Sequence, residues 1–402
     1  MKTEMKLDEQ FTQRESRFND LQVIRKDPVF RDLPFDDRMA EEVRRFHRSL
    51  PFYEQTKLHS LKQTATRYDV DSIFIKDEST RFGLKAFKGL GATYAMFRIL
   101  CDRFGFDPGK TDLNTFLQDD VRKACGKIEF VTATDGNHGK GVSFAAKLFG
   151  SKAHVYMPKG TAEVRRKAIE DAGNADAKIL DLNYDQTVLH AADAAETNGW
   201  ILIQDTSREG YEQIPTWIIE GYLTIAREVE DQMNGKRPTH IFLQAGVGAM
   251  AGGLESYFCK GLQPFVTIVE PEEAACIYES IRRNDGLPHS IQGDPSTIMA
   301  GLNCGTPCGV VWPVLRDSTS AFCACNDEIT KKGMKAYAHP FEGDPSIVSG
   351  ESGAVTYGLL LKILEDEKLR EIFQIREDSI ILLINTEGDT DPESYRNIVK
   401  EG

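Results

Sequence analysis

One lysine in this chain sits in a setting that favours nucleophilic chemistry. Lys88 lies in Phe82-Gly-Leu-Lys85-Ala-Phe-Lys88-Gly-Leu-Gly91-Ala. The flanking Phe87, Gly89, Leu90 and Gly91 are expected to desolvate its side chain. Desolvation disfavours the ammonium form and makes the amine available to attack a carbonyl. Most lysines are solvated surface charges, and Lys76 and Lys85 are rivals close in sequence. Only Lys88 combines the apolar flank with the start of a helical pattern.

Two further stretches follow strand-like runs. In Thr132-Ala-Thr134-Asp135-Gly136-Asn137-His138-Gly139-Lys-Gly141, backbone amides could hold a carboxylate and the Asn137 amide could donate to a phenolate oxygen. A plain Asx turn with a helix cap would use the same residues. In Thr239-His-Ile-Phe-Leu-Gln-Ala-Gly246-Val247-Gly248-Ala249-Met250-Ala-Gly-Gly253, a strand runs into a glycine-rich turn and then a helix. Bare backbone N–H groups at a helix N-terminus suit a phosphate. A dinucleotide reading also fits this stretch: Ala251 takes the last position of the Gly-rich fingerprint, and Glu270 closes the next strand where a ribose-binding acid would sit. Asp205, in Gln204-Asp-Thr-Ser-Arg-Glu-Gly-Tyr211, ends another strand-like run, as a site carboxylate or as a turn or helix cap.

The elements that must position these residues read as α/β. Short apolar runs alternate with helical patterns, the signature of a parallel sheet covered by helices. The expected strands are Ser72–Lys76, Glu129–Thr132, Ala153–Met157, Lys178–Leu182, Trp200–Gln204, Thr239–Gln244, Phe265–Val269 and Ser379–Asn385. After Lys88, the spacing of Leu90, Thr93, Tyr94 and Phe97 predicts a helix with one apolar face. A second helix opens near Pro215 and aligns Ile218, Tyr222, Ile225, Ala226 and Val229. Residues 101–128 read as a polar, exposed insertion. No linker divides the chain cleanly, so one domain is expected to be inserted in the other.

Composition narrows the classes of function. A chain of 402 residues exceeds the usual size of one hydrophobic core. Its net charge of −13 offers nucleic acid or an anionic membrane no electrostatic handle, so neither is expected as a partner. No apolar run approaches the roughly 20 residues needed to span a bilayer. The charged start Met-Lys-Thr-Glu-Met-Lys does not resemble a secretory signal, and the cytoplasm is the expected compartment. Cys304, Cys308, Cys323 and Cys325 match no zinc spacing, and no metal is expected there.

Taken together and in this order, the lysine, the Gly-Asn-His-Gly loop and the neutral glycine loop resemble the fold type II family of pyridoxal phosphate enzymes, the tryptophan synthase β-like group. The resemblance runs from about Ile73 to Asp389. It implies two open, twisted, mostly parallel sheets flanked by helices. A small domain, residues 92–204, would be inserted in a large one, residues 1–91 and 205–402. It also implies that Lys88 carries pyridoxal 5'-phosphate as a Schiff base and that Asn137 bonds its 3' oxygen. Gly246, Val247, Gly248, Ala249 and Met250 would hold the phosphate. Thr386, after the strand Ser379–Asn385, would face the ring nitrogen and leave it unprotonated. Ser349-Gly-Glu-Ser-Gly353 resembles the family's Ser-Gly turn.

Within that family, Asp135 stands where many dehydratases have serine. With Gln204-Asp205-Thr206, Ile214-Pro-Thr-Trp217 and Glu387-Gly-Asp-Thr-Asp391, it is similar to the diaminopropionate ammonia-lyase family. That likeness implies elimination of ammonia from 2,3-diaminopropionate, giving pyruvate and two ammonia. Lys88 and Asp135 would be bases on opposite faces, which would admit both enantiomers, and Asp205 a further acidic group. Thr134, Asp135, Gly136 and His138 would bind the amino acid substrate. A homodimer is expected from the same likeness. A serine or threonine dehydratase on this fold and a nicotinamide-dependent oxidoreductase are the alternatives.

Overall fold

Ser72–Asp77, His240–Gln244, Phe265–Pro271 and Ile380–Asn385 are almost wholly buried, as strands covered by helices on both faces must be. The computed structural model describes residues 13–134, 136–291, 293 and 296–400, the side chain of Asp185 apart. In chain order its strands are β1 (Arg14–Arg17), β2 (Leu21–Arg25), β3 (Leu58–Ser60), β4 (Ser72–Asp77), β5 (Glu129–Ala133), β6 (Lys152–Met157), β7 (Ala175–Ile179), β8 (Ile201–Leu202), β9 (His240–Gln244), β10 (Phe265–Pro271), β11 (Ala321–Cys325) and β12 (Ile380–Asn385). They form an eight-stranded sheet ordered β1-β2-β11-β10-β9-β12-β4-β3 and a four-stranded sheet ordered β7-β6-β5-β8. The small sheet is all parallel. In the large one only β1, β2 and β3, toward the edges, run antiparallel to their neighbours. The expected pair of mostly parallel sheets flanked by helices is what forms.

Each sheet has one place where the strand order reverses. In the large sheet the chain steps from β9 outward to β10 and β11, then returns to β12 on the other side of β9. In the small sheet it steps from β5 to β6 and β7, then returns to β8. Loops leaving the carboxyl ends at such a reversal diverge and leave a crevice. The glycine loop and Thr386 leave β9 and β12. The Asn137 loop and Asp205 follow β5 and β8.

The helix that begins at Lys88 runs to Phe104, and the helix expected near Pro215 spans Gln213–Gln232. They pack on each other, with the rings of Phe87 and Tyr222 edge to face at 4.8 Å. The helix Asn137–Phe149 also presses on the first of them. A Cβ added to Gly141 would lie 2.9 Å from the carbonyl oxygen of Lys88, so only glycine lets these two backbones meet. That contact brings the lysine and the asparagine to one place.

The segment ahead of Lys88 is strained. Phe82 and Lys85 adopt φ of +52° and +57°, a region that costs an L residue about 1–2 kcal/mol. A buried charge network anchors this segment. Arg81 donates to Glu78 at 2.7 Å and to both oxygens of Glu228 at 2.9 and 2.7 Å. Lys76 donates to Glu228 at 2.5 Å. These side chains are wholly inaccessible, and two cations against two carboxylates keep the cluster neutral. Losing one partner of such a buried pair costs about 3–5 kcal/mol, because the other charge is left buried and unpaired.

Two expectations need correction. Residues 101–128 are not an exposed insertion: they finish the Lys88 helix and form helices Leu113–Leu117 and Asp119–Cys125. Phe116 is buried edge to face against Phe97 and Phe149, an anchor that the polar surroundings conceal. The third strand of the small sheet is Ala175–Ile179, three residues earlier than expected, because it pairs Ala175 with Ala153 and Ile179 with Met157. Cys323 and Cys325 are buried within β11, a strand not foreseen, whereas Cys304 is only partly buried. No helix of the described residues is long and apolar enough to cross a membrane.

Candidate active site

Between the two sheets lies a cavity open at its mouth and lined by Phe87, Lys88, Asn137, Asp205, Gly246–Met250 and Thr386, with Gln244, Ser352 and Glu387 among the remainder. The loops at both strand-order reversals meet here. Gly136 lines an adjoining cavity, whereas Thr134 and His138 are buried behind the wall. Asp135 lies outside the described residues.

Lys88 is the cavity's lysine. Lys76 is locked in the buried network, and Lys85 is exposed and paired with Asp389 at 2.7 Å. Lys88 Nζ donates to Asp205 Oδ2 at 2.5 Å, with the side chains 17% and 10% exposed. Burial by itself disfavours the ammonium, but the Asp205 carboxylate outweighs it and holds the Lys88 pKa above the ordinary lysine range. Burial likewise opposes the Asp205 carboxylate, and Lys88 and then His138 reverse this and push its pKa below the ordinary range. The local sequence implied a neutral, desolvated amine. The structure instead holds an ion pair whose second member comes from 117 residues away. Tyr222 adds a buried hydroxyl near Lys88.

The Asn137 loop is fixed to the end of β8. Gln204 Oε1 accepts from Thr132 Oγ1 and from the Ala133 amide at 3.1 and 3.2 Å. His138 Nε2 lies 3.0 Å from the carbonyl of Ile203, which only a protonated Nε2 can satisfy. Burial, with Lys88 adding to it, lowers the His138 pKa. The imidazole Nδ1 lies 3.8 Å from Asp205 Oδ2. Thr134 serves the turn itself, with Oγ1 accepting from Gly136 N at 3.1 Å.

The glycine loop ends in a left-handed residue, Gly248 at φ +87°, which caps the helix Ala249–Leu262. A Cβ there would lie 2.6 Å from Leu315 Cδ1. Gly248 and the first residues of that helix line the cavity, and a glycine turn at a helix N-terminus fits a phosphate group. Gly248→Ala is expected to weaken pyridoxal phosphate binding about tenfold or more, since strain and overpacking together cost on the order of 1–3 kcal/mol. Titrating the apoprotein with the cofactor checks this.

Opposite the loop, Gln244 Nε2 donates to Thr386 Oγ1 at 3.0 Å and to the Ile384 carbonyl at 2.8 Å. With its oxygen occupied as an acceptor, the Thr386 hydroxyl keeps its proton for a partner in the cavity. That suits a pyridine nitrogen bearing no proton. Ser349 Oγ donates to Asn385 Oδ1 at 2.7 Å and ties the Ser-Gly turn to β12. Glu387 accepts from Asn137 Nδ2 at 2.6 Å. The cavity therefore offers an amine, an amide donor, a hydroxyl donor and a phosphate cradle, and the donor set fits pyridoxal phosphate. Gln244, Glu387, Ser352 and Tyr222 are given no site role from the sequence, although Ser352 and Glu387 lie in the motifs quoted above and Tyr222 on the apolar helix face. Gln244 and Glu387 stand beside the recognised glycine loop and Thr386, which was the available signal. Glu270 is no ribose ligand: its oxygens accept from Ile277 N and Tyr278 N at 2.8 and 2.7 Å, capping the helix Cys276–Arg283.

Comparison with known proteins agrees with this fold and with pyridoxal phosphate as the cofactor. The family described as pyridoxal-phosphate dependent enzyme matches residues 50–386. The diaminopropionate ammonia-lyase of Salmonella typhimurium is 45% identical, covering 90% of this chain and 92% of its own. The crystal structure of holo diaminopropionate ammonia lyase from Escherichia coli superposes with a TM-score of 0.89 at 40% identity, over 96% of this chain and 98% of that one. The Escherichia coli enzyme in complex with D-serine gives 0.87 at 38% identity, over 98% and 99%. This chain belongs to the pyridoxal-phosphate dependent enzymes and, among them, to the diaminopropionate ammonia-lyase family.

Proposed function

We propose that the protein eliminates ammonia from 2,3-diaminopropionate, with Lys88 as base and Asp205 as its proton partner. The observation that carries the reading is the Lys88–Asp205 pair at 2.5 Å beside the glycine cradle. Bound pyridoxal phosphate would supply the electron sink that acidifies the substrate's Cα–H bond. Gly246, Val247, Gly248, Ala249 and Met250 would hold its phosphate, Asn137 its phenolic oxygen and Thr386 its ring nitrogen. Lys88 Nζ, once deprotonated, takes the Cα proton. The Cα–H and Cβ–N bonds break, the Cα proton passing to Lys88 beside Asp205, and the β-ammonium, already carrying its proton, departs as ammonia. The three-carbon enamine left behind reacts with one water to give pyruvate and a second ammonia.

A carboxylate on this wall also attracts the β-ammonium that distinguishes diaminopropionate from serine or threonine. Asp135 is proposed as the base on the opposite face, which would serve the other enantiomer. Other backbone amides of the turn around Gly136, which Thr134 and His138 stiffen, would receive the substrate carboxylate. The reading extends to a homodimer in the cytoplasm, on the family likeness and the acidic composition.

Steady-state assays with diaminopropionate, serine and threonine test it. Two ammonia per pyruvate are expected, with kcat/KM for diaminopropionate at least about 100-fold above that for the hydroxy amino acids, because those leave the charge-binding groups unpaired. Equal or better turnover of serine or threonine would make the protein a dehydratase.

A further inference from the structure

Glu387 is buried and both of its oxygens are engaged. Oε2 accepts from the side-chain amide of Asn137 at 2.6 Å. Oε1 accepts from the backbone N–H of Ser352 at 3.0 Å. Ser352 stands in the first turn of the helix Glu351–Leu364, whose N-cap, Gly350, has no side chain to offer. Glu387 thus spans two elements that the chain builds separately: a helix packed on the large sheet, and the Asn137 loop that follows β5 of the small one.

The two partners have one property in common: each donates. A carboxylate has an acceptor oxygen for each. An amide in its place has one, so it would satisfy either Asn137 or Ser352 and turn an N–H toward the other. The carboxylate also fixes which way the Asn137 amide faces. An amide oxygen turned toward Glu387 would set two acceptors against each other, so the NH2 end must face it. One of the two N–H groups is then committed to Glu387, and the second is left for the cavity that Asn137 lines.

We infer that Glu387 is a positioning residue: it holds the Asn137 amide in the one orientation that offers an N–H to the phenolic oxygen of the cofactor. It does so through the Asn137 side chain, and it anchors that orientation to the large sheet through Ser352. This rests on the proposed role of Asn137.

The test uses the full chain as four proteins: wild type, Glu387→Gln, Asn137→Ala and the double variant. For each, the apoprotein is titrated with pyridoxal phosphate, and the affinity and the position of the visible band are read, together with the Tm of the apoprotein. Each single variant is expected to bind the cofactor about tenfold more weakly, the size of one hydrogen bond, and to move the band. The double variant should be no weaker than Asn137→Ala, since Glu387 has nothing left to orient. Capping of the helix at Ser352 is a separate effect, lowering Tm equally with or without Asn137. If the two losses multiply, or if Glu387→Gln binds as the wild type does, the inference is overturned. If Asn137→Ala itself binds unchanged, the role of Asn137 falls and the inference with it. Should Glu387→Gln not fold, Glu387→Asp keeps both acceptors but shortens the reach, and the same absence of multiplication is required of it.

Discussion

Lys88→Ala is expected to lose the visible band of lysine-bound pyridoxal phosphate and to reduce kcat by about 10⁴-fold or more, the upper range for removing a proton-transfer group. The reason lies in the surroundings of the three candidate lysines. Lys76 is spent on Glu228, Thr56 and Gln232. Lys85 points to solvent and pairs with Asp389. Neither lines the cavity, so neither can replace the missing amine. Pyridoxal phosphate should still bind without a covalent link, because the glycine loop, Asn137 and Thr386 are untouched. Its spectrum should then be that of the free aldehyde. The absorption spectrum of the purified variant, saturated with cofactor, checks this.

Asp205→Asn should act differently, and with two opposite signs. The wild-type carboxylate keeps Lys88 protonated against the effect of burial. Without it, burial alone remains, and the Lys88 pKa falls toward or below its ordinary value of about 10.4. More of the amine is then free at neutral pH. The variant apoprotein should therefore take up pyridoxal phosphate faster than the wild type near pH 7, and its rate should level off at lower pH. The wild-type rate should keep rising with pH because its lysine titrates above the ordinary range. Turnover moves the other way. With no carboxylate to accept and return protons, kcat for diaminopropionate should fall about 10²–10⁴-fold. Stopped-flow reconstitution across pH, set beside steady-state rates, reads both effects. Unchanged turnover would reduce Asp205 to a structural counter-ion.

Much of the frame is legible in the sequence because its strands are made of residues that have few other places to go. Ile-Ile-Leu-Leu-Ile in β12 and Ile-Phe-Leu in β9 fix the centre of the large sheet, and the glycine loop and Thr386 follow them directly. Local pattern fails where pairing decides. Ala-Phe-Cys-Ala-Cys in β11 lacks β-branched residues and becomes a strand because β10 and β2 flank it. The bounds of β7 are set by its register on β6. The site shows the same limit. Lys88 could be picked out from its neighbours, but its charge state could not, because Asp205 arrives from the other sheet. Asn137 could be seen, but not the carboxylate that orients it. In both cases the missing information is a contact between distant segments, which leaves no period or spacing in the chain.

The central claim is that Lys88 is the amine that carries the cofactor. The most direct measurement is borohydride reduction of the wild-type holoenzyme, followed by proteolysis and mass spectrometry of the pyridoxyl-labelled peptide. The label is expected on Lys88, in near-stoichiometric yield per chain. A label on Lys76, Lys85 or any other lysine, with Lys88 unmodified, would contradict the account.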